Sequence, residues 1–214
     1  MQTFKLIDFN VYNEKTETDE QCMFQVQMFG INETGETCSL TVENFKPFFY
    51  IKVPDKWTDE MTILFMTHIK GKKEVGAFYA KSIESCKLVE HKNLYGFDGG
   101  KLHKFLRIRF LNVQCFNKIK NLWYHTDAQN NYKLNSSGYS GFRGMKLVIY
   151  ESNIPPLLRF FHIKDLSPSG WVEFPTNRAI RAHTPKTTCD SEFTIDYKYI
   201  TPLNDKETRV PYKI

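Results

Sequence analysis

The chain has 214 residues, of which 41% are hydrophobic, 25% charged and 15% aromatic; that composition excludes a disordered or fibrous chain and suffices for one large domain or two small ones. Twenty-nine Lys and Arg against 24 Asp and Glu give a net charge of +5, which permits an anionic partner without demanding one. No run approaches the roughly 18 apolar residues of a membrane span, and the opening MQTFKLIDFNVYNEKTETDE lacks the apolar core of a signal peptide, so an intracellular protein with no membrane partner is expected. The cysteines (Cys22, Cys38, Cys86, Cys115, Cys189) are odd in number and form no CxxC pair, which reads as reduced thiols. Neither they nor the histidines have metal-ligand spacing.

In chain order, FKLIDFNVY and CMFQVQMFGI alternate at period two, and the turn NETGE leads into CSLTVENF. These are three strands of a meander with one buried face. FKPFFYIKV (45–53) is a strongly apolar strand that stops at Pro54. WTDEMTILFMTHIK then places Trp57, Met61, Leu64, Phe65 and Ile69 at helical spacing, with Thr58 as N-cap and Asp59 and Glu60 at the positive helix end. SCKLVEHKNL (85–94) and LHKFLRIRFL (102–111) are further strands, joined by YGFDGG. Asn112 caps a second helix carrying Val113, Phe116, Ile119 and Trp123 on one face. TDAQNNYKLNSSGYSG reads as an exposed loop and MKLVIYE (145–151) as a strand. Asn153 is predicted to cap the short helix IPPLLRFFHI, in which His162 packs among phenylalanines. The turn and strand DLSPSGWVEFP and the strand region TTCDSEFTIDYKYITPL complete the chain.

The order strand, helix, strand, strand, helix, strand over residues 45–151 is the split βαβ arrangement of ferredoxin-like and RNA-recognition folds. Alternation assigns its faces: Phe49, Ile51, Val53, Leu106, Ile108 and Phe110 turn towards the helices. Phe48, Tyr50, Lys52, Phe105, Arg107 and Arg109 are left on the open side. Aromatic platforms beside cations hold single-stranded nucleic acid through base stacking and phosphate pairing, so Tyr50, Lys52, Phe105, Arg107 and Arg109 are the candidate nucleic-acid-binding residues. Such a face can equally pack against a neighbouring domain, and LHKFLRIRFL lacks the glycines of the usual RNA-recognition motif.

GMKLVIYESNIPPLLRFFHIKDLSPSGWVEF (144–174) resembles the segment that precedes the exonuclease domain in family B DNA polymerases. FKPFFYIKVP (45–54) is similar to the family's F-P-F/Y-F-Y strand, and LYGFDGGKLHKFLRIRF (94–110) to its YGF stretch. The three matches occur in family order, and their closest flavour is the polymerase-delta-like enzyme of large DNA viruses. The resemblance implies an α+β N-terminal region in which an OB-like β portion (1–44), an inserted RNA-recognition-like βαββαβ unit (45–151) and a return segment (152–214) flank the exonuclease near the single-stranded template. It also implies the parent's exonuclease and polymerase domains as partners, and a viral replication compartment or host nucleus as location.

The family's palm motifs, D-x-x-S-L-Y-P and Y-G-D-T-D, are absent from the sequence; their carboxylates hold the two metal ions of nucleotidyl transfer. The D-x-E at Asp190-Ser191-Glu192 sits in a polar setting rather than on the apolar strand that carries the family's proofreading pair, so it is expected to be a decoy. No catalytic residue and no cofactor is assigned to this chain; Mg2+ belongs to the domains it lacks. VPYKI (210–214) resembles the start of the strand that leads into the exonuclease. A non-catalytic polymerase region that supports the exonuclease and guides template is the leading expectation. A protein-interaction module of a replication complex, without nucleic-acid contact, is the alternative.

Overall fold

The computed structural model describes residues 1–15, 21–93, 98–127 and 129–203. Along these the chain forms β1 (Gln2–Lys15), β2 (Cys22–Ile31), β3 (Thr37–Glu43), β4 (Phe48–Lys52), α1 (Asp59–Lys70), α2 (Gly76–Lys81), β5 (Ile83–Lys92), β6 (Leu102–Phe110), α3 (Val113–Lys120) and the short strands β7 (Tyr124–Thr126), β8 (Tyr132–Leu134) and β9 (Val148–Tyr150). Then follow α4 (Pro156–Lys164), β10 (Trp171–Phe174), β11 (Ile180–Arg181), β12 (Ser191–Asp196) and β13 (Thr201–Leu203). The fold is mixed α+β and rich in sheet. It divides into two units, Met1–Phe45 with Pro155–Ile214, and Lys46–Ile154.

The first unit is built on a seven-stranded sheet in the order β11-β12-β3-β2-β1-β10-β13. All its pairings are antiparallel except β12 with β3. Alternation drives Phe24, Val26 and Met28 of β2 and Leu40 and Val42 of β3 into a core shared with Phe4, Leu6, Phe160 and Phe174, and each such fully buried side chain contributes about 1.5–3 kcal/mol. The turn between β2 and β3 is fixed by Asn32, whose Oδ1 accepts the N–H of Thr34 at 3.0 Å and of Glu36 at 2.8 Å.

The second unit is a four-stranded antiparallel sheet in the order β5-β6-β4-β9. One face packs on α1 and α3: Phe49, Ile51, Leu106, Ile108 and Phe110 are buried with Phe65, Ile69, Phe116, Ile119 and Trp123. Both predicted caps form, with Thr58 Oγ1 accepting the Met61 N–H at 3.2 Å and Asn112 Oδ1 that of Cys115 at 2.9 Å. All five cysteines are free, and burial pushes the thiols of Cys38 up to about 11 and of Cys86 and Cys115 to about 12.

Several details differ from the sequence expectations. Leu64 is 46% exposed; it lies one residue, and so about 100° of helical turn, from Phe65 on the inner stripe. The stretch read as a loop contains β8, which pairs with β7 just before it, and a buried Tyr139 bridged to Leu147; Tyr124 and His125, read as the end of the second helix, belong to β7. Asn153 does not cap α4; Pro155 holds that position, and Asn153 Oδ1 instead accepts the Tyr124 hydroxyl at 2.9 Å. His162 is exposed rather than packed, in the last turn of α4. Residues 94–97 of the YGF stretch and the VPYKI segment lie outside the described residues.

Candidate nucleic-acid interface

The register of β4 and β6 places the predicted site residues side by side. Lys52 pairs with Phe105, Tyr50 with Arg107, and Phe48 with Arg109, so all of them share the face away from α1 and α3. The outer strands extend the row, with Tyr150 opposite Tyr50, Val89 opposite Phe105 and Lys87 opposite Arg107. The structure thus brings all five candidates together on one sheet face.

At one end the rings form a cradle. Phe105 lies edge-on to Tyr150 at 5.5 Å and to Tyr50 at 6.3 Å, and His91 stands 5.3 Å from Tyr50. A cavity of about 250 Å³ opens among Tyr50, His91, Phe105 and Tyr150, with Lys92, Asn93 and Glu151 completing its wall. Phe105 is only 4% exposed: it is the floor, whereas Tyr50 and Tyr150 are half-buried and His91 is exposed at the rim. His91 and Tyr150 are not among the residues that strand alternation singles out. Both lie on outer strands, and alternation within those strands becomes informative only once their register to the centre is known.

Beyond the cradle the face is cationic. Arg107 and Lys87 stand directly opposite each other, an arrangement of like charges that is unfavourable unless an anion relieves it. Among the described residues the Nε atoms of Arg107 and of Arg109 are buried without a hydrogen-bond partner. Buried donors of this kind are normally satisfied by a protein group or an ordered water. Aromatic rings and cations thus share one sheet face.

Asp190 and Glu192 do different work. Asp190 Oδ2 accepts the Thr37 N–H at 2.7 Å and its hydroxyl at 2.8 Å, and these bonds hold its carboxyl below the usual range. Burial pushes Glu192 up, but hydrogen bonds from the Thr187 hydroxyl and the N–H groups of Lys186 and Thr187 outweigh it and leave the carboxyl below its ordinary value. Each carboxylate ties the start of β12 to its surroundings, so the pair does not fit a catalytic magnesium ion. Among the described residues no three His, Cys, Asp or Glu side chains gather as a metal site, and no helix is long and apolar enough to cross a membrane.

The fold is that of part of a family B DNA polymerase: it matches the enzyme from the hyperthermophilic archaeon Pyrobaculum calidifontis with a TM-score of 0.59 at 16% identity, over 91% of this chain and 20% of that one. No protein-family model matches the chain. Its homologues are viral and delta-type DNA polymerases. The chain is 40% identical to the DNA polymerase of Phaeocystis pouchetii virus, covering 100% of itself and 21% of that protein. It is 26% identical to the DNA polymerase of Acanthamoeba polyphaga mimivirus over 99% of its length and 12% of the relative's. With the DNA polymerase delta catalytic subunit of Dictyostelium discoideum it shares 24% identity over 88% of its length, 17% of that subunit. The chain thus spans a fifth or less of the length of most of these relatives.

Proposed function

We propose that the chain is a non-catalytic N-terminal region of a replicative family B DNA polymerase, which supports the exonuclease domain and guides single-stranded template across the open face of the β5-β6-β4-β9 sheet. The strand order and the helices on one face support a ferredoxin-like unit inserted into an OB-like β portion, with the seven-stranded sheet as that portion. In this reading Tyr50, Tyr150 and His91 offer stacking surface worth about 1–3 kcal/mol per base, with the buried Phe105 as the floor beneath them rather than a stacking partner, and Lys52, Arg107 and Arg109 pair with phosphates. Neither interaction reads a base edge, so the strand is held without regard to sequence. The partners are the exonuclease and polymerase domains of the parent enzyme, which would carry the magnesium chemistry, in a viral replication compartment or nucleus.

The observation that carries this reading is the row of Lys52, Arg107 and Arg109 on the same sheet face as an aromatic-lined cavity. A salt series of anisotropy titrations with labelled single-stranded DNA tests it. Each neutralised phosphate contributes about −0.7 to the log–log slope on single strands, and Arg107→Ala with Arg109→Ala should flatten that slope by about 1.4. An unchanged slope in the double variant removes this face from the interface. The reading as a protein-interaction module draws on a different surface, where Ile63 is 67% and Phe78 56% exposed; it predicts no DNA binding at any salt.

A further inference from the structure

We propose that Arg178 and Arg181, on the surface segment 176–186, form a second phosphate-binding surface for nucleic acid, carried by the unit that holds the seven-stranded sheet. The proposal goes beyond the sheet-face reading and uses none of its residues.

Between Glu173 and Asp190 the sequence contains no Asp or Glu, yet it carries Arg178, Arg181, His183 and Lys186. The segment is exposed at residues 176–178 and 180–186, but it is firmly held. A 3-10 turn closes with the Arg178 N–H on the Pro175 carbonyl at 3.0 Å, and the Ala182 N–H reaches the Glu192 carbonyl at 2.9 Å. β11 pairs with β12 through Ile180 with Thr194 and Arg181 with Phe193. The Arg178 guanidinium lies 5.6 Å from the Tyr199 ring centre, and the same ring takes the Lys198 ammonium at 4.9 Å.

The nearby acids are already engaged or lie on the other face. Glu14 takes Lys186 at 3.0 Å, Glu192 accepts from Thr187 and the Lys186 N–H, and Asp196 takes Lys198 at 3.3 Å. Alternation puts Ile180 on the Thr194 side, which continues to Thr41 and Glu43, and Arg181 on the opposite side with Phe193. Among the described residues neither Arg178 nor Arg181 has a carboxylate partner. The Arg178 guanidinium is thus held against the Tyr199 ring and the backbone of Arg181 by β12, and among the described residues neither side chain has a counter-charge.

The physics of exposed charge selects the partner. An isolated exposed Arg–carboxylate pair gains little, because water screens it. A nucleic-acid backbone differs: each phosphate neutralised releases condensed counterions, so even a solvated arginine pair acquires salt-dependent affinity. Guanidinium forks also match phosphate geometry bidentately. Contacts of this kind are blind to sequence.

The test uses the whole chain in anisotropy titrations with a labelled oligothymidylate across a salt series. Arg178→Ala with Arg181→Ala should lower the magnitude of the log–log slope by about 1.4, two contacts at about 0.7 each, while Arg178→Lys with Arg181→Lys should retain it. The lysine pair separates loss of charge from loss of folding. An unchanged slope in the alanine pair overturns the proposal. So does binding of a polyglutamate peptide that the alanine pair abolishes while leaving the oligonucleotide unaffected, since the surface then belongs to an acidic protein. The two assignments fail separately. If only Arg107→Ala with Arg109→Ala lowers the slope, this second surface falls and the sheet face stands; if only the Arg178 and Arg181 pair does, the reverse holds.

Discussion

Gly30 leaves no room for a side chain. A Cβ there would overlap the Phe4 ring edge and the Lys5 carbonyl oxygen, where Leu6 of β1 pairs with Gly30 beside a register shift in the ladder. Gly30→Ala should therefore destabilise the chain by about 1–3 kcal/mol, the usual cost of overpacking, read as a lower urea midpoint. At the same scale, the arginines and the D-x-E pair show what sequence conveys and what it withholds. Arg107 and Arg109 were legible as neighbours on one face because period-two alternation in a single strand suffices. That their Nε atoms are buried without partners among the described residues was not legible, since this depends on what the adjacent strands bring beside them. Asp190 and Glu192 sit in polar surroundings that the sequence shows, but the Asp190 partner, Thr37 some 150 positions earlier, follows only from the pairing of β12 with β3, whereas Glu192 is bonded locally by Thr187.

At the scale of elements, the two faces of the β5-β6-β4-β9 sheet should respond differently to truncation. Phe49 is fully buried and touches Phe110, Phe116 and Trp123; Phe49→Ala should cost about 3–5 kcal/mol of stability by urea unfolding. Tyr150, at the rim of the cradle, should behave in the opposite way. Tyr150→Ala should leave the urea midpoint nearly unchanged and weaken single-stranded DNA binding by roughly 1–3 kcal/mol, or about 5- to 150-fold. Elements with strong periodicity and a polar cap, α1 and α3 among them, were legible from sequence. The start of α4 was not, because Pro155 occupies the cap position with no side-chain acceptor, and Asn153 is drawn away to Tyr124. The hairpin β7–β8 was missed for a related reason: its residues are mostly exposed and polar, so hydrophobic alternation gives no signal there, and a stacked pair, Tyr124 with Tyr132 at 4.9 Å, joins the two strands instead.

For the whole molecule, the first unit is assembled from both ends of the chain, and the second is formed by the residues between them. β1 pairs with β10 and β3 with β12, so the seven-stranded sheet closes only after the intervening residues have been passed. Such long-range pairings, one of them parallel, are invisible to local pattern and came to the sequence analysis only as an implication of family resemblance. The central claim is that single-stranded DNA lies on the open face of the second unit. Photocrosslinking with an oligonucleotide carrying 5-iododeoxyuridine, which reacts preferentially with stacked aromatic side chains, tests this most directly. The account predicts crosslinked peptides containing Tyr50 or Tyr150, lost when those residues are changed to alanine. Crosslinks found only outside residues 46–154, or none from a chain that binds the strand, would contradict it.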